Sequence, residues 1–314
     1  MDAKNKIRQL KQVIENTLLA LIDQDYYLLE VPYYTNIGDS LIWQGELDFL
    51  SNIPYRCKGM YALETFPFWK KIPAGSLILF QGGGNFGDLW TKHHSFKMNI
   101  IRKFPNCKFI FFPQTVFFQK KENLLQCAEF LSAQKNITIC ARDCTSYEIL
   151  KRYFSCNVLL VPDMAFFMDM DKWQTHSISV VKNLLLKRTD SEFKESAYIE
   201  KLSSQSDMDV TDWPTMLKIP DRETKIMLRL KEYLCCRYLL ADFYAQNYYR
   251  KHLIQTGIKL IANHNKIFTT RLHTAILGVL MDKEIELIDN SYGKNRTFYD
   301  TWLSDYDKIK FIKI

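Results

Sequence analysis

Ser76-Leu77-Ile78-Leu79-Phe80-Gln81-Gly82-Gly83-Gly84-Asn85-Phe86-Gly87-Asp88 is the stretch on which the fold of this chain turns. Leu77 to Phe80 form an unbroken apolar run of strand length, and the run empties directly into consecutive glycines. Glycines in series let a backbone approach a ligand closely and aim N–H groups at an oxygen-rich group. No Gly-Lys-Ser/Thr follows, and the spacing is not G-x-G-x-x-G, so neither a Walker loop nor a dinucleotide fingerprint is present. A tight turn needed only for packing is the plain alternative.

The same grammar recurs on both sides. Upstream, residues 4–24 alternate charge with Leu, Ile and Val at helical spacing. Tyr26 to Pro32 reads as a strand ending in the turn Thr35-Asn36-Ile37-Gly38-Asp39-Ser40, and a helix follows over Leu41 to Leu50. Downstream, Lys108 to Phe112 leads into Pro113-Gln114-Thr115. Asn136 to Ala141 leads into Arg142-Asp143 and a helix over Tyr147 to Tyr153, and Val158 to Val161 closes on Pro162-Asp163. Short apolar strands alternating with helices predict an α/β fold with a parallel sheet covered on both faces.

After Asp163 the pattern restarts. Met168 to Thr175 reads as a connector, and Ser179 to Leu186 as a strand feeding Lys187-Arg188-Thr189-Asp190. Residues 189–225 read as a long inserted loop and Lys225 to Lys251 as helix. Ile258 to Ile261 and Lys266 to Thr269 look strand-like, Arg271-Leu272-His273 opens a helix through Leu280, and Glu284 to Ile288 is a last strand. Two domains are expected, 1–172 and 173–314, with the C-terminal segment packing back on the first.

Composition bounds the function. A chain of 314 residues suits two domains. Its 47% hydrophobic and 25% charged content excludes disorder. The net charge of +7 suits anionic small molecules, nucleic acid or a membrane surface. Lys and Arg are spread out and no nucleic-acid motif appears, which disfavours nucleic acid. Eight cysteines without C-x-x-C spacing read as reduced, buried thiols. No signal peptide is visible and no apolar run spans a membrane, so a cytoplasmic, soluble protein with at most peripheral contact at the inner membrane face is expected.

In open α/β sheets ligands bind beyond the carboxyl ends of strands, so the strand-end residues are the candidates. Arg271 and His273 stand at a strand-to-helix junction, where backbone donors favour anions. Arg offers a bidentate fork for phosphate or carboxylate, and His moves protons near neutral pH. Arg142 and Arg188 each end a strand beside an aspartate, as surface ion pairs or as an anion clamp. Gly83, Gly84 and Asn85 offer backbone, whereas Asn36, Gly38 and Asp39 could simply turn the chain and cap a helix. His93 and His94 read as a solvated pair on a helix face, and His176, His252 and His264 lack supporting neighbours. The aromatics of Tyr233 to Tyr249 and Trp302 read as core.

Taken in order, Asn36-Ile37-Gly38-Asp39, Gly82-Gly83-Gly84-Asn85 with Asp88, Pro113-Gln114, Ala141-Arg142-Asp143, Pro162-Asp163, Arg188-Thr189-Asp190, Asp212-Trp213-Pro214, Arg271-Leu272-His273 and Asp289-Asn290-Ser291-Tyr292-Gly293-Lys294 resemble the polysaccharide pyruvyl transferase family, in its bacterial exopolysaccharide-biosynthesis form. Phe86 departs from the smaller or polar residues also familiar in the glycine stretch. The resemblance implies two Rossmann-like domains facing across a cleft, as in GT-B glycosyltransferases. It implies transfer of the enolpyruvyl carbons of phosphoenolpyruvate to a sugar, lipid-linked or nucleotide-linked, as a cyclic ketal, with no metal or cofactor. His273 would deliver the proton to carbon, while Arg271 and Arg188 hold phosphate or carboxylate, with Arg142 beside them. Asn36, Gly38, Asp39, Gly83, Gly84, Asn85, Asp88, Asn290, Ser291 and Tyr292 would bind substrate, Asp39, Asn85 and Asp88 by holding sugar hydroxyls or serving as base. The rival readings are a GT-B glycosyltransferase using a nucleotide sugar and a non-catalytic binder of sugar or lipid-linked pyrophosphate.

Overall fold

The computed structural model describes residues 1–173, 182–190, 193–216, 220–232, 238–289 and 293–314. Its strands are β1 (Tyr26–Leu29), β2 (Cys57–Tyr61), β3 (Leu77–Phe80), β4 (Gly83–Gly87), β5 (Lys108–Phe117), β6 (Ile137–Ala141), β7 (Asn157–Leu160), β8 (Asn183–Leu186), β9 (Met208–Thr211), β10 (Lys266–Thr269), β11 (Glu284–Ile288) and β12 (Ile309–Ile312). The helices are α1 (Ala3–Leu18), α2 (Ile37–Leu50), α3 (Thr91–Lys103), α4 (Lys121–Ser132), α5 (Cys144–Tyr153), α6 (Ala197–Ser203), α7 (Arg222–Glu232), α8 (Tyr238–Tyr244), α9 (Arg250–Ala262), α10 (Leu272–Leu280) and α11 (Lys294–Phe298).

One sheet runs β2-β1-β3-β5-β6-β7, with β4 added on β5, and the other runs β12-β11-β10-β8-β9. Every recorded strand pair is parallel. Parallel strands are covered on both faces, which is why β1 and β3 are apolar and buried throughout rather than alternating.

Four readings are corrected. The glycine stretch is not a loop: Gly83–Gly87 is strand β4, paired with the distal part of β5, which continues through Pro113 to Phe117. A Cβ on Gly87 would stand 1.7 Å from the Phe117 carbonyl oxygen, so only glycine permits this approach. Residues 189–225 are not one loop, because α6 and β9 lie within them and β9 edges the second sheet. Ile258 to Ile261 belongs to helix α9, whose Leu253, Ile254, Ile258 and Ile261 are buried. The strand after the connector begins at Asn183, and residues 179–181 lie outside the described residues.

One apolar core is continuous through both sheets, joining Leu28, Trp43 and Leu79 to Leu184, Ile267 and Leu287. Helices α2, α9 and α10 fill the space between. The C-terminal segment reaches the first half: Trp302 Nε1 donates to the Arg142 carbonyl at 2.7 Å, and Phe298 stacks on Phe166. Cys107, Cys127 and Cys140 are buried free thiols, whereas Cys57 and Cys144 are exposed, contrary to a uniformly buried reading. Among the described residues no helix is long and apolar enough to cross a membrane.

Candidate functional site

Strand ends of both sheets open on one cavity of about 240 Å³. Tyr34, Asn36 and Asp39 follow β1, and Gly84 and Asn85 come from β4. Trp90 and His93 lead into α3, Arg188 and Asp190 follow β8, and Trp213 follows β9. Arg271 and His273 follow β10, and Lys294 opens α11.

His273 is the hinge of this arrangement. It is the second residue of α10, and its Nε2 lies 3.4 Å from Asp163 Oδ2 and 3.5 Å from Arg142 Nη1. The opposite ring edge rests on the first turn of α2, where a Cβ on Gly38 would fall 2.5 Å from His273 Nδ1. Gly38 therefore makes room for the histidine, and it does not line the cavity. Asn36 caps α2 by accepting from the Gly38 N–H at 3.1 Å, and its amide donates to Asp39 at 2.7 Å.

Arg142 is fully buried. Its Nη1 donates to Asp163 at 2.6 Å and its Nε to Thr115 at 2.8 Å, while Nη2 is buried with no hydrogen-bond partner. Burial alone would raise the Asp163 carboxyl; the charges and hydrogen bonds of His273 and Arg142 outweigh it and hold the group well below the usual carboxylate range. A Cβ on Gly84 would meet Lys294 Nζ at 2.8 Å and Arg142 Nη2 at 3.4 Å. The missing side chain thus lets two cations close on the Gly84 backbone, Lys294 from the cavity and Arg142 from the buried side. Below β4, Glu46 Oε1 accepts from the Gly82 N–H at 2.8 Å, and complete burial pushes its carboxyl well above the ordinary value.

Arg271 requires a correction. It lines the cavity, but its Nε and Nη2 donate to both oxygens of Asp212, the latter at 2.7 Å, and Nη2 also reaches Asp190 at 3.3 Å. The fork expected to grip an anion holds a carboxylate of the chain itself. Arg188 is likewise bidentate on Asp190, at 2.8 and 3.0 Å. Asp88 is corrected as well: its carboxylate accepts from the N–H groups of Gln119 and Lys120 and from the Asn123 amide, ahead of α4, and it faces away from this cavity. Gly83 contributes backbone at φ +125° without lining the cavity, and Phe86 points into an aromatic cluster with Phe111, Phe118 and Phe154. Asn290, Ser291 and Tyr292 lie outside the described residues, as does His176.

Of the other histidines, His93 and His94 are not the solvated pair expected, whereas His252 and His264 make structural ion pairs. His93 lies 2.8 Å from Glu30, and His94 packs edge-on to Phe86 and Phe118, where burial pushes its imidazole down to about 4. His252 pairs with Asp221 and His264 with Asp209. Asp163, Asp212, Lys294, Tyr34, Trp90 and His93 were not named as site residues by sequence. Pro162-Asp163, Asp212-Trp213-Pro214 and the stretch ending at Lys294 carried the available signal for three of them.

A strand-end cavity with a buried imidazole–carboxylate pair stands where α/β enzymes bind their ligands. The family pattern of polysaccharide pyruvyl transferases matches residues 36–292, and the chain belongs to that family. It is 31% identical over 319 residues to "Putative pyruvyl transferase EpsO" of Bacillus subtilis (strain 168), covering 100% of this chain and 96% of that protein. It is 29% identical over 298 residues to "Pyruvyl transferase 1" of Schizosaccharomyces pombe, covering 88% of this chain and 69% of that one. A crystal structure of an uncharacterized Klebsiella pneumoniae protein shares the fold, with a TM-score of 0.68 at 21% identity, covering 97% of this chain and 99% of that one. The protein is a transferase, a pyruvyl transferase of polysaccharide biosynthesis.

Proposed function

We propose that the enzyme moves the enolpyruvyl carbons of phosphoenolpyruvate onto two hydroxyls of one sugar in an envelope or exopolysaccharide precursor, giving a cyclic ketal and phosphate. The observation that carries this reading is the pair of cations gathered at Gly84, the unpartnered Arg142 Nη2 and Lys294 Nζ, beside His273. A phosphate or carboxylate there would supply acceptors to a buried guanidinium, whose unmet hydrogen bond is otherwise costly. His273, held between Asp163 and Gly38, is the group that delivers a proton to the vinyl carbon. Asp163, 3.4 Å from Nε2, keeps the imidazole oriented.

In this reading the donor lies toward Lys294, Arg188 and His273. The sugar, lipid-linked or nucleotide-linked, lies toward Asn36, Asp39 and Asn85. The two sheets act as Rossmann-like domains, divided near residue 172, in a GT-B arrangement. The enzyme works in the cytoplasm, at the inner membrane face when its acceptor is lipid-linked, and needs neither metal nor cofactor.

The test is incubation with phosphoenolpyruvate and a panel of lipid-linked and nucleotide-linked sugars, weighing products for one added pyruvyl ketal. His273→Gln should lower kcat by about a hundredfold or more while phosphoenolpyruvate binding changes little. Nucleotide release without consumption of phosphoenolpyruvate would refute the reading in favour of glycosyl transfer.

A further inference from the structure

The reaction needs a base as well as an acid, because each attacking hydroxyl loses a proton. We propose that His93 is that general base and that Glu30 is its positioning residue, an assignment that rests on the pyruvyl-transfer reading above.

His93 lies in the first turn of α3 and lines the same cavity as His273. Its Nδ1 is 2.8 Å from Glu30 Oε1. The Glu30 side chain is 2% exposed and accepts a second hydrogen bond, at 2.6 Å, from Lys97 Nζ, which is fully buried. Glu30 Oε1, accepting from the Lys97 ammonium, also accepts from His93, so Nδ1–H donates. The neutral ring then carries its lone pair on Nε2. Nε2 has no hydrogen-bond partner among the described residues, and the His93 side chain is 21% exposed at the cavity. The Tyr34 ring meets the imidazole edge-on at 5.8 Å, and the Asn85 amide nitrogen lies 3.5 Å from Nδ1. A buried Glu–Lys pair contributes little net stability. Glu30 also sits at φ +72°, a left-handed backbone unusual for a non-glycine residue. Such strain concentrates at sites of function. The purpose that unites these features is a carboxylate held beneath an imidazole of one tautomer.

The proton balance assigns the step. His93 Nε2 takes the proton of the first hydroxyl as its oxygen bonds to C2, while C3 receives a proton from the acid. The C2–O bond to phosphate then breaks, and the proton held on His93 leaves with the phosphate. The second hydroxyl bonds to C2, and its proton restores the acid.

Wild-type protein, His93→Gln and His93→Ala are assayed with phosphoenolpyruvate and the sugar that the wild type converts, with and without imidazole, and phosphoenolpyruvate Kd is measured by calorimetry. Both variants should lose about a hundredfold or more in kcat at little-changed Kd, and imidazole should return about tenfold to His93→Ala. Turnover within about threefold of wild type, a raised acceptor KM at unchanged kcat, or a loss that imidazole does not relieve overturns the assignment. Nitrogen-15 NMR of the intact wild type tests the tautomer without any acceptor: a His93 proton on Nε2 overturns it. The double substitution Glu30→Gln with Lys97→Met removes the buried pair together and should mix the tautomers; an unchanged spectrum refutes the role of Glu30. A wild type that converts no sugar and consumes no phosphoenolpyruvate defeats the functional reading itself, whereas transfer by both wild type and His93→Gln defeats only the base.

Discussion

Replacing Gly38 by alanine adds one methyl group, and its effect can be worked out from distances. The new Cβ would lie 2.5, 2.8 and 2.9 Å from Nδ1, Cγ and Cβ of His273. Ordinary contacts between such atoms are about 3.5 Å, so the histidine must retreat by about 1 Å. Rotating the ring does not relieve the clash, because His273 Cβ is itself too close. Retreat is also resisted from behind, where Asp163 and Arg142 are buried around the ring. A misplacement of about 1 Å costs on the order of a hundredfold in rate. Stability should move much less: alanine is favoured over glycine in a helix by about 1 kcal/mol, against about 1–3 kcal/mol for overpacking. Gly38→Ala should therefore lose about a hundredfold in kcat, with a stability loss of at most about 2 kcal/mol and an intact site for the proposed donor, phosphoenolpyruvate. Ketal formation followed by mass, beside chemical denaturation and calorimetry, measures all three. Wild-type turnover in a folded Gly38→Ala protein would refute either the wedge or the role of His273.

Two further predictions concern groups around the cavity. Arg271→Lys keeps the charge but not the fork on Asp212, so it should cost about 2 kcal/mol by denaturant unfolding along with activity; an unchanged midpoint would show that the Arg271–Asp212 pair does not hold the two loops together. Glu46 keeps its proton in the folded state when the unfolded chain has lost it, so wild-type stability declines as pH rises above the ordinary carboxyl range near 4.3. Glu46→Gln carries no such decline, and its stability gain should grow between about pH 4 and 7 and vanish below; melting curves across that range decide, and a pH-independent difference contradicts the raised carboxyl.

Strand ends were legible because an apolar run that stops at Gly, Arg or Asp marks both a strand and its exit. That rule alone placed Gly84, Asn85, Arg188 and His273 at one cavity. It could not supply partners. Arg271 finds Asp212 across 59 positions and His273 finds Asp163 across 110, and no local pattern encodes such pairs. The same blindness gave Arg271 a free fork and Asp88 a place in the site. His93 looked solvated because its helix is polar on both sides in sequence, while its buried carboxylate lies on β1's exit, 63 residues earlier. Ile258 to Ile261 failed for another reason: a four-residue apolar run suits a strand or a buried helical face equally. The glycine strand was hidden by propensity, since its pairing comes from close backbone approach and not from β-branched side chains.

The apolar core continuous through both sheets bears on how substrates enter and leave. Swinging the halves apart would wet the seam where α2 packs on α9 and α10, at about 25 cal/mol for every Å² exposed. Entry that keeps this core dry leaves the halves together, and Trp90, 41% exposed, is the lining aromatic that meets solvent. Any gating of the cavity would then fall to single side chains such as Trp90, and not to a hinge between the sheets.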